Sequence, residues 1–150
     1  MKLLIINGPN LNLLGKRDRS LYGSLGLDEI ENKLNSEAEK LKINIEFFQS
    51  NHEGNIVDFL QSNSLNSDGI IINPGALTHY GISLRDGLLD SKLPIIEVHL
   101  SNIHSREEFR NRSVVSDISV GQIVGLGWQG YIYALNFLKY YIDTKWINKK

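Results

Sequence analysis

Glu97 and His99 form a pair whose residue types and spacing suggest chemistry in this 150-residue chain. Residues two apart on a strand project from the same face, so this carboxylate would contact the imidazole, fix its tautomer and favour its protonated form. A histidine supported in this way is suited to general acid catalysis. His79 also follows a predicted strand, which favours a functional role for it, although most single loop histidines are structural.

Arg17 and Tyr22 lie in a long segment, residues 8–26, that has neither helical nor strand periodicity. Loops longer than about 12–15 residues inside a compact domain are usually functional or disordered. A phenol ionises near pH 10, so it serves as a base near neutrality only if a cation stabilises its anion. The pattern therefore favours Tyr22 with Arg17, on a loop that closes over a site. For three other polar residues of the loop a solvated surface role is the better interpretation: Asn12, Asp18 and Arg19.

Arg106 and Arg110 are four residues apart, a spacing that places both on one side of a short helical turn. Charges arranged in this way most often form a solvated face and contribute little pair energy. Close to the end of the strand that carries His99, an arginine is also the natural bidentate clamp for a carboxylate substrate. The sequence leaves both interpretations of Arg110 open.

Several other chemistries are disfavoured. The sequence has no cysteine, which excludes disulfides, thiolate metal sites and a cysteine nucleophile. The histidine spacing does not match a zinc site, and we expect no metal. Residues 125–130 match Gly-x-Gly-x-x-Gly, but no strand is expected after the next helix, so close packing of that helix is the better interpretation. Neither a phosphate-binding Gly-x-x-x-x-Gly-Lys-Ser/Thr loop nor a Gly-x-Ser-x-Gly elbow occurs.

The elements that must position these residues are short apolar runs alternating with segments of helical period. Strands are predicted at residues 3–6, 43–49, 69–73, 95–99 and 122–126. Helices are predicted at residues 27–41, 56–65, 82–89 and 131–142, with a helical turn at 106–110. Five strands interleaved with helices imply parallel β-α-β units. We predict an α/β fold, a flavodoxin-like doubly wound five-stranded parallel sheet with helices on both faces.

Three of the predicted strands end in polar loops: Asn-Gly-Pro-Asn at residues 7–10, Asn-Pro-Gly at 73–75 and His-Leu-Ser-Asn at 99–102. In open α/β sheets, ligands bind beyond the carboxyl ends of the strands, where the strand order reverses. The sequence therefore predicts a site formed by these loops.

The composition is that of an ordinary globular protein, with 41% hydrophobic residues, 22% charged residues and a net charge of -1. We expect a single domain over residues 1–150, because compact domains typically run to roughly 100–200 residues. The balanced charge argues against a nucleic-acid binder. No apolar run approaches the roughly 20 residues of a membrane span, and no segment resembles a signal peptide, so the expected location is the cytoplasm.

Five blocks of sequence occur together in a specific order and spacing. They are Asn-Gly-Pro-Asn-Leu-Asn-Leu-Leu-Gly at 7–15 with Arg17 and Tyr-Gly at 22–23, Ser-Asn-His-Glu-Gly at 50–54, Ile-Asn-Pro-Gly-Ala at 72–76 with Thr-His at 78–79, Glu-Val-His-Leu-Ser-Asn at 97–102 with Arg-Glu-Glu-Phe-Arg at 106–110, and Gly-Gln-Ile-Val-Gly-Leu-Gly at 121–127 with Gln-Gly-Tyr at 129–131. From residue 1 to about residue 141, the chain resembles the type II 3-dehydroquinate dehydratase family.

The resemblance implies a hydro-lyase that reversibly eliminates water from 3-dehydroquinate, through an enolate, to give 3-dehydroshikimate. This is the third step of the shikimate pathway to chorismate and the aromatic amino acids; quinate breakdown uses the same step, and the sequence does not decide between them. The resemblance implies no cofactor, no metal and no covalent imine. The implied partners are the small-molecule substrate and further copies of this chain, in a homododecamer built as a tetramer of trimers.

The resemblance also implies roles for the residues that match the family's motifs. Tyr22 would be the base, and His99, oriented by Glu97, would be the general acid. Arg17 would stabilise developing negative charge, and Asn10 would hold a water against the enolate oxygen. The implied substrate-binding residues are Asn73, His79, Leu100, Ser101, Arg110 and, from a neighbouring subunit, Asp86.

The sequence departs from the family's usual pattern at a few positions. Arg-Asp-Arg at residues 17–19 stands where Arg-Glu-Pro is usual, and Tyr80-Gly81 stands where Thr-Ser is more usual. Gly26 replaces the threonine that commonly caps the first helix, and glycine is a weaker cap. None of these changes removes a catalytic group, so they bear on loop closure and affinity.

Two non-catalytic hypotheses compete with the enzyme. A flavin- or nucleotide-binding module would carry a turn rich in Ser, Thr and Gly after the first strand, where this chain has Asn-Gly-Pro-Asn. A receiver-like signalling domain would carry acidic residues after the first strand and an aspartate after the third, where Asn7 and Asn73 stand. Both hypotheses are weaker than the enzyme.

Overall fold

The computed structural model describes residues 1–16 and 18–147, and within them strands and helices alternate. The strands are β1 (Lys2–Asn7), β2 (Asn44–Gln49), β3 (Gly69–Asn73), β4 (Ile95–His99) and β5 (Gly121–Val124). The helices are α1 (Arg19–Tyr22), α2 (Leu27–Leu41), α3 (Glu53–Asn63), α4 (Ile82–Ser91) and α5 (Gln129–Ile147). Among the helices described, none has both the length and the apolar character needed to cross a membrane.

The described strands pair in parallel, in the order β2-β1-β3-β4-β5. This is the doubly wound order of flavodoxin-like proteins, and it confirms the predicted fold class. The chain order reverses between β1 and β3, so the loops after these two strands flank the crevice where such sheets bind ligands.

Two hydrophobic layers cover the sheet, one beneath α2 and α5 and the other beneath α3 and α4. In β1, Leu3 and Ile5 face the first layer and Leu4 and Ile6 face the second, because successive residues of a strand point to opposite sides. All four side chains are completely buried. Each such burial contributes roughly 1.5–3 kcal/mol, so the continuous apolar run at residues 3–6 anchors both layers.

Two helices begin at glycines that have no side chain with which to cap them. At α2, a Glu29 carboxylate oxygen accepts a hydrogen bond from the Gly26 N–H at 2.8 Å, which retains half of a capping box. At α4, whose N-cap position is Gly81, the cap comes from another helix: a Glu53 carboxylate oxygen of α3 accepts from the Leu84 N–H at 2.8 Å.

The glycines at residues 125–130 form a turn and then the close packing contact that was predicted for the last helix. Gly125 and Gly127 have φ angles of 81° and 59° in the turn between β5 and α5. A Cβ atom at Gly130 would lie 3.3 Å from side-chain atoms of both Ile123 and Val98. The absence of a side chain at Gly130 therefore lets α5 pack closely on the sheet.

Some predicted bounds were wrong. The helix predicted at 56–65 begins earlier, at Glu53, and that predicted at 131–142 extends over Gln129–Ile147. β5 ends at Val124, before the 126 predicted, because Gly125 turns the chain out of the strand. These ends are set by caps and turns, which the hydrophobic period does not report.

Two segments around the polar loops also differ from prediction. Residues 106–110 do not form one helical turn, because a 3-10 turn covers only Glu108–Arg110 and Arg106 is extended, with φ −108° and ψ −155°. Within the long loop 8–26, α1 forms a single helical turn, which the periodicity did not indicate. Its N-cap is Asp18, whose carboxylate accepts from the Ser20 N–H at 2.9 Å.

Candidate active site

The loops that follow β1, β3 and β4 enclose a pocket at the carboxyl edge of the sheet, where the sequence predicted a site. α1 and the segment after β4 complete its described wall. The lining residues are Pro9, Asn10, Leu11, Tyr22, Asn73, Gly75, Ala76, His79, His99, Leu100, Ser101, Ile103, Arg106 and Arg110.

Gly8 allows the loops after β1 and β3 to meet. Its N–H donates a hydrogen bond to the Asn73 carbonyl at 2.8 Å. A Cβ atom at this position would lie 2.3 Å from the carbonyl oxygen of Pro74, so no larger residue fits without moving the loops apart. This contact joins the two loops that carry Asn10 and Asn73.

Asn10 adopts a left-handed backbone conformation, with φ 67° and ψ −2°. Asparagine tolerates this region better than most residues other than glycine. The Asn10 N–H donates to Asn51 Oδ1 at 2.9 Å, and the same oxygen accepts from Gln49 Nε2 at 3.1 Å. Gln49 Nε2 also lies 3.2 Å from the Gly8 carbonyl oxygen. These side chains hold the backbone that presents Asn10 to the pocket.

Tyr22 and Arg106 meet at the pocket wall. Arg106 Nη1 donates to the Tyr22 hydroxyl oxygen at 3.0 Å, and the guanidinium carbon lies 5.7 Å from the centre of the phenol ring. A cation in this position stabilises a phenolate more than a neutral phenol, by charge and by hydrogen bonding. The geometry therefore places a cation directly against the phenol oxygen.

Glu107 links the two arginines of the pocket. Its Oε2 lies 2.8 Å from Arg110 Nε and 3.6 Å from Arg106 Nε. Backbone hydrogen bonding and the Arg110 hydrogen bond lower the pKa of Glu107, so the carboxylate stays ionised. The carboxylate holds both guanidinium groups at the pocket, where each can also serve an anionic ligand.

The predicted Glu97–His99 pair is present. Glu97 Oε1 lies 2.7 Å from His99 Nε2, with Glu97 fully buried and His99 only 5% exposed. Burial alone would raise the pKa of Glu97, but hydrogen bonds from His99, Thr78 and Ser113, together with the His99 charge, lower it overall. The ionised carboxylate therefore orients the imidazole through Nε2, and His99 lines the pocket.

His79 is held by the backbone of the segment after β4. Its Nδ1 lies 2.7 Å from the carbonyl oxygen of Arg112. A carbonyl only accepts, so Nδ1 carries a proton, and in the neutral ring Nε2 is left as an acceptor.

Asn73 contacts Tyr131, whose hydroxyl group is buried in the core. Its Oδ1 accepts from the Gly75 N–H at 3.1 Å, and its side chain also hydrogen-bonds Tyr131. The Tyr131 hydroxyl donates to Asn7 Oδ1 at 2.5 Å. Burial raises the pKa of Tyr131, so this hydroxyl stays neutral and remains a donor.

The pocket brings together eight of the ten residues predicted for the site: Asn10, Tyr22, Asn73, His79, His99, Leu100, Ser101 and Arg110. Arg17 lies outside the described residues. Asp86 is exposed on α4 and is not part of this pocket's described lining. The site prediction omitted Arg106, whose i, i+4 relation to Arg110 was the one available signal and was equally typical of a solvated helix face.

Comparison with known proteins identifies the family. The family model described as "Dehydroquinase class II" matches residues 1–139, which include the whole described lining of the pocket. The chain belongs to the class II dehydroquinase family.

Relatives in this dehydroquinase family are similar over nearly their full length. The 3-dehydroquinate dehydratase of Herpetosiphon aurantiacus is 57% identical over 137 residues, covering 91% of this chain and 95% of that protein. That of Halothermothrix orenii is 54% identical over 134 residues, covering 89% and 90%. The crystal structure of a type II dehydroquinase from Butyrivibrio crossotus matches with a TM-score of 0.90 and 48% identity, covering 92% of this chain and 97% of that one. The dehydroquinase family and enzyme class predicted from the motifs are confirmed.

Proposed function

We propose that this enzyme catalyses the reversible elimination of water from 3-dehydroquinate to give 3-dehydroshikimate. The observation that carries the proposal is the pairing within one pocket of a phenol on a guanidinium and an imidazole on a buried carboxylate. Elimination requires a base for a carbon-bound proton and an acid for the departing hydroxyl. The substrate is proposed from the relatives named 3-dehydroquinate dehydratase.

In this mechanism Tyr22 is the base. Its phenolate removes a proton from the carbon next to the substrate ketone, and the electron pair of the C–H bond moves to the carbonyl oxygen to form an enolate. The Arg106 guanidinium, 3.0 Å from the hydroxyl oxygen, stabilises negative charge on that oxygen. Arg17 is the second cation proposed for this step, from the sequence motif.

Asn10 assists at the enolate. As negative charge develops on the carbonyl oxygen, a water held by Asn10 donates a hydrogen bond to it. A preorganised donor at this point lowers the barrier because it stabilises charge that exists only as the reaction proceeds. The restrained backbone of Asn10, bonded to Asn51, supports this role.

His99 then acts as the general acid. It gives a proton to the departing hydroxyl, the C–O bond breaks, and the enolate pair forms the carbon–carbon double bond while the ketone is restored. Water leaves, and Tyr22 and His99 return to their starting protonation states by exchange with solvent. Glu97 stabilises the protonated imidazole before the transfer and holds its orientation.

The remaining polar residues of the pocket hold the substrate. Arg110 binds the carboxylate, since a planar guanidinium matches a carboxylate with two parallel hydrogen bonds. The substrate hydroxyl groups are held by Asn73, by His79, by the backbone of Leu100 and Ser101, and by the Ser101 side chain.

The assembly we propose follows the family resemblance: a homododecamer, arranged as four trimers, of chains that each form a single cytoplasmic catalytic domain. Asp86 would reach the pocket of a neighbouring subunit, and its exposed position on α4 is compatible with that role. Light scattering of the purified protein tests the proposal, and a monomer at assay concentration would contradict it.

The function is tested by incubating the purified protein with 3-dehydroquinate and following ultraviolet absorbance. The product is a conjugated enone, so rising absorbance reports the elimination directly. We expect activity in EDTA and after borohydride treatment in the presence of substrate. Loss of activity in borohydride would indicate a lysine imine and overturn the assignment of Tyr22 as the base.

Tyr22→Phe is the variant for the same assay, because it removes the ionisable hydroxyl and keeps the ring. We expect turnover to fall by at least about a hundredfold, which is within the usual contribution of a general base. Turnover close to the wild-type value would contradict the assignment. If the wild-type protein had no activity, a flavin- or nucleotide-binding module would become the favoured hypothesis for this fold.

A further inference from the structure

The Glu97 carboxylate lies among hydroxyl groups that take no part in the mechanism above. Thr78 Oγ1 donates to Glu97 Oε1 in a short hydrogen bond. Ser113 Oγ lies 3.0 Å from Oε2 and 3.1 Å from Oε1 of the same carboxylate. Thr78 is in the loop after β3 and Ser113 is in the segment before β5, and neither lines the described pocket.

The hydrogen bonds that Ser113 Oγ accepts determine that its own hydroxyl must act as a donor. Its Oγ accepts from the Val115 N–H at 3.0 Å and from the Ser116 N–H at 2.9 Å. A hydroxyl has two acceptor lone pairs and one proton, so these bonds occupy both lone pairs and leave the proton to be donated. It goes to Glu97 directly, or to Thr78 Oγ1 at 2.9 Å, which donates in turn to Glu97. In either case Thr78 donates its proton to the carboxylate, and Ser113 has no lone pair left with which to accept a proton from it.

A carboxylate that meets only donors is held in its ionised form, because a protonated acid would place its own hydrogen against one of them. Its remaining partner, His99 Nε2, must then also donate. That requirement selects the tautomer with hydrogen on Nε2 and makes Nδ1 the nitrogen that exchanges a proton in the pocket.

We propose that Thr78 and Ser113 are positioning residues that set the charge of Glu97 and, through it, the tautomer of His99. The kinetic part of this inference rests on the proposed dehydration, whereas the tautomer does not. Among the described groups, His99 is the titratable one that acts on Glu97 electrostatically, and the neighbouring elements supply the two neutral hydroxyls.

The first test compares Thr78→Val, which replaces the hydroxyl by a methyl group of similar size, with Thr78→Ser, which restores it. We expect kcat of Thr78→Val to fall by about tenfold or more, as for the loss of a hydrogen bond to a charged group, with KM within about twofold. The acid limb of the kcat–pH profile moves to higher pH, because Glu97 with one donor fewer takes up a proton more readily. Thr78→Ser should restore both kcat and the position of the acid limb.

Ser113→Ala should also lower kcat and move the acid limb to higher pH. It leaves the N–H groups of Val115 and Ser116 without this acceptor as well. Its thermal stability must therefore be measured beside its kinetics. Ser119→Ala is the matched control, because this hydroxyl lies in the same segment and donates to the Val115 carbonyl at 2.9 Å. We expect wild-type kcat, KM and pH profile for Ser119→Ala.

The second test measures the tautomer of His99 directly, from the ¹⁵N chemical shifts of the ring nitrogens, and does not depend on enzymatic activity. The His99 signals are assigned as those that disappear in His99→Asn. At a pH at which the ring is neutral, we expect hydrogen on Nε2 in the wild type and a mixture of tautomers in Thr78→Val and Ser113→Ala. An unchanged tautomer together with an unmoved acid limb would overturn the proposal, even if both variants were less stable. A wild-type enzyme inactive on 3-dehydroquinate would overturn the proposed function, and the ring shifts would still decide the positioning role.

Discussion

At the scale of single residues, the contact between Tyr22 and Arg106 is the one on which the proposed chemistry depends most. The guanidinium both donates to the phenol oxygen and lies near the ring face, so it is positioned to stabilise negative charge on that oxygen. Glu107 shares in holding the arginine, through the 3.6 Å contact with its Nε. The proposed base is therefore a pair of groups rather than a tyrosine alone.

Arg106→Gln should lower kcat by about ten- to a hundredfold, because a charge-assisted hydrogen bond that stabilises the reactive anion is lost. Arg106→Lys should rescue only in part, because an ammonium group does not reproduce the planar guanidinium. The measurement is kcat of each variant in the ultraviolet assay.

The control for that prediction is Arg19→Gln. Arg19 is an exposed arginine on α1, the same helical turn as Tyr22. If the two glutamine variants lowered kcat equally, the general positive charge of the region, and not the Arg106 contact, would be responsible.

At the scale of elements, α3 and α4 are joined by the cap that Glu53 provides. Gly81 offers no side chain at the N-cap, and the Leu84 N–H is satisfied instead by Glu53 Oε1. Both helices cover the same face of the sheet, and α4 carries Asp86. The cap therefore fixes where α4 begins relative to the sheet.

We expect Glu53→Ala to lower the free energy of unfolding by about 1 kcal/mol, the usual effect of losing an N-cap acceptor. Glu53→Gln keeps an oxygen acceptor and should retain most of that stability. Chemical denaturation of both variants measures the difference. Equal losses in the two would mean that the charge of Glu53, and not the hydrogen bond, stabilises α4.

The close contact between the loops after β1 and β3 at Gly8 leads to a second prediction at this scale. Gly8→Ala should cost roughly 1–3 kcal/mol, because its Cβ would meet the Pro74 carbonyl oxygen at 2.3 Å and force the loops apart. Activity should fall as well, since these loops carry Asn10 and Asn73.

Gly54→Ala is the matched control for Gly8→Ala. Gly54 lies within α3, and a Cβ there would meet no atom within 4 Å. We expect this change to stabilise the protein by about 0.5–1 kcal/mol, because alanine loses less entropy than glycine on entering a helix. Denaturation curves showing both variants equally stable would contradict the role given to Gly8.

At the scale of the whole molecule, the position of Asp86 raises the question of a shared site. Its side chain is exposed on α4, next to Arg85, whose guanidinium bonds Asp117 and the Val114 carbonyl. Because Asp86 is not part of the described lining of its own pocket, its proposed role requires another copy of the chain to bring it to a pocket.

Subunit mixing tests this arrangement. Tyr22→Phe and Asp86→Ala should each be poorly active alone, and activity should return when the two are unfolded and refolded together, because some pockets then combine an intact Tyr22 with an intact Asp86 from a neighbour. The double variant in one chain, mixed with itself, is the control. Failure to regain activity, with mixed oligomers demonstrated, would show that Asp86 does not act across subunits.

The order of elements and the place of the site could be predicted because both follow from local patterns. The buried strands are short and rich in isoleucine and valine, as in Gly69–Asn73 and Ile95–His99, and alternating strands and helices allow few topologies. Carboxyl ends of parallel strands lie at one edge of a sheet, so polar loops at residues 7–10, 73–75 and 99–102 were bound to converge. The pairing of Glu97 with His99 needed only the two-residue period of a strand.

The sequence by itself thus determined the fold class, the edge of the sheet that bears the site, and the family. The tertiary structure decided which distant groups meet: Arg106 reaches Tyr22 across 84 residues, and Ser113 reaches Glu97 from a segment without periodicity. It also placed Glu53 as the cap of α4, 31 residues away. Periodicity reports which face of an element is buried, but a contact between side chains depends on the paths of the intervening loops, which only the packed molecule fixes.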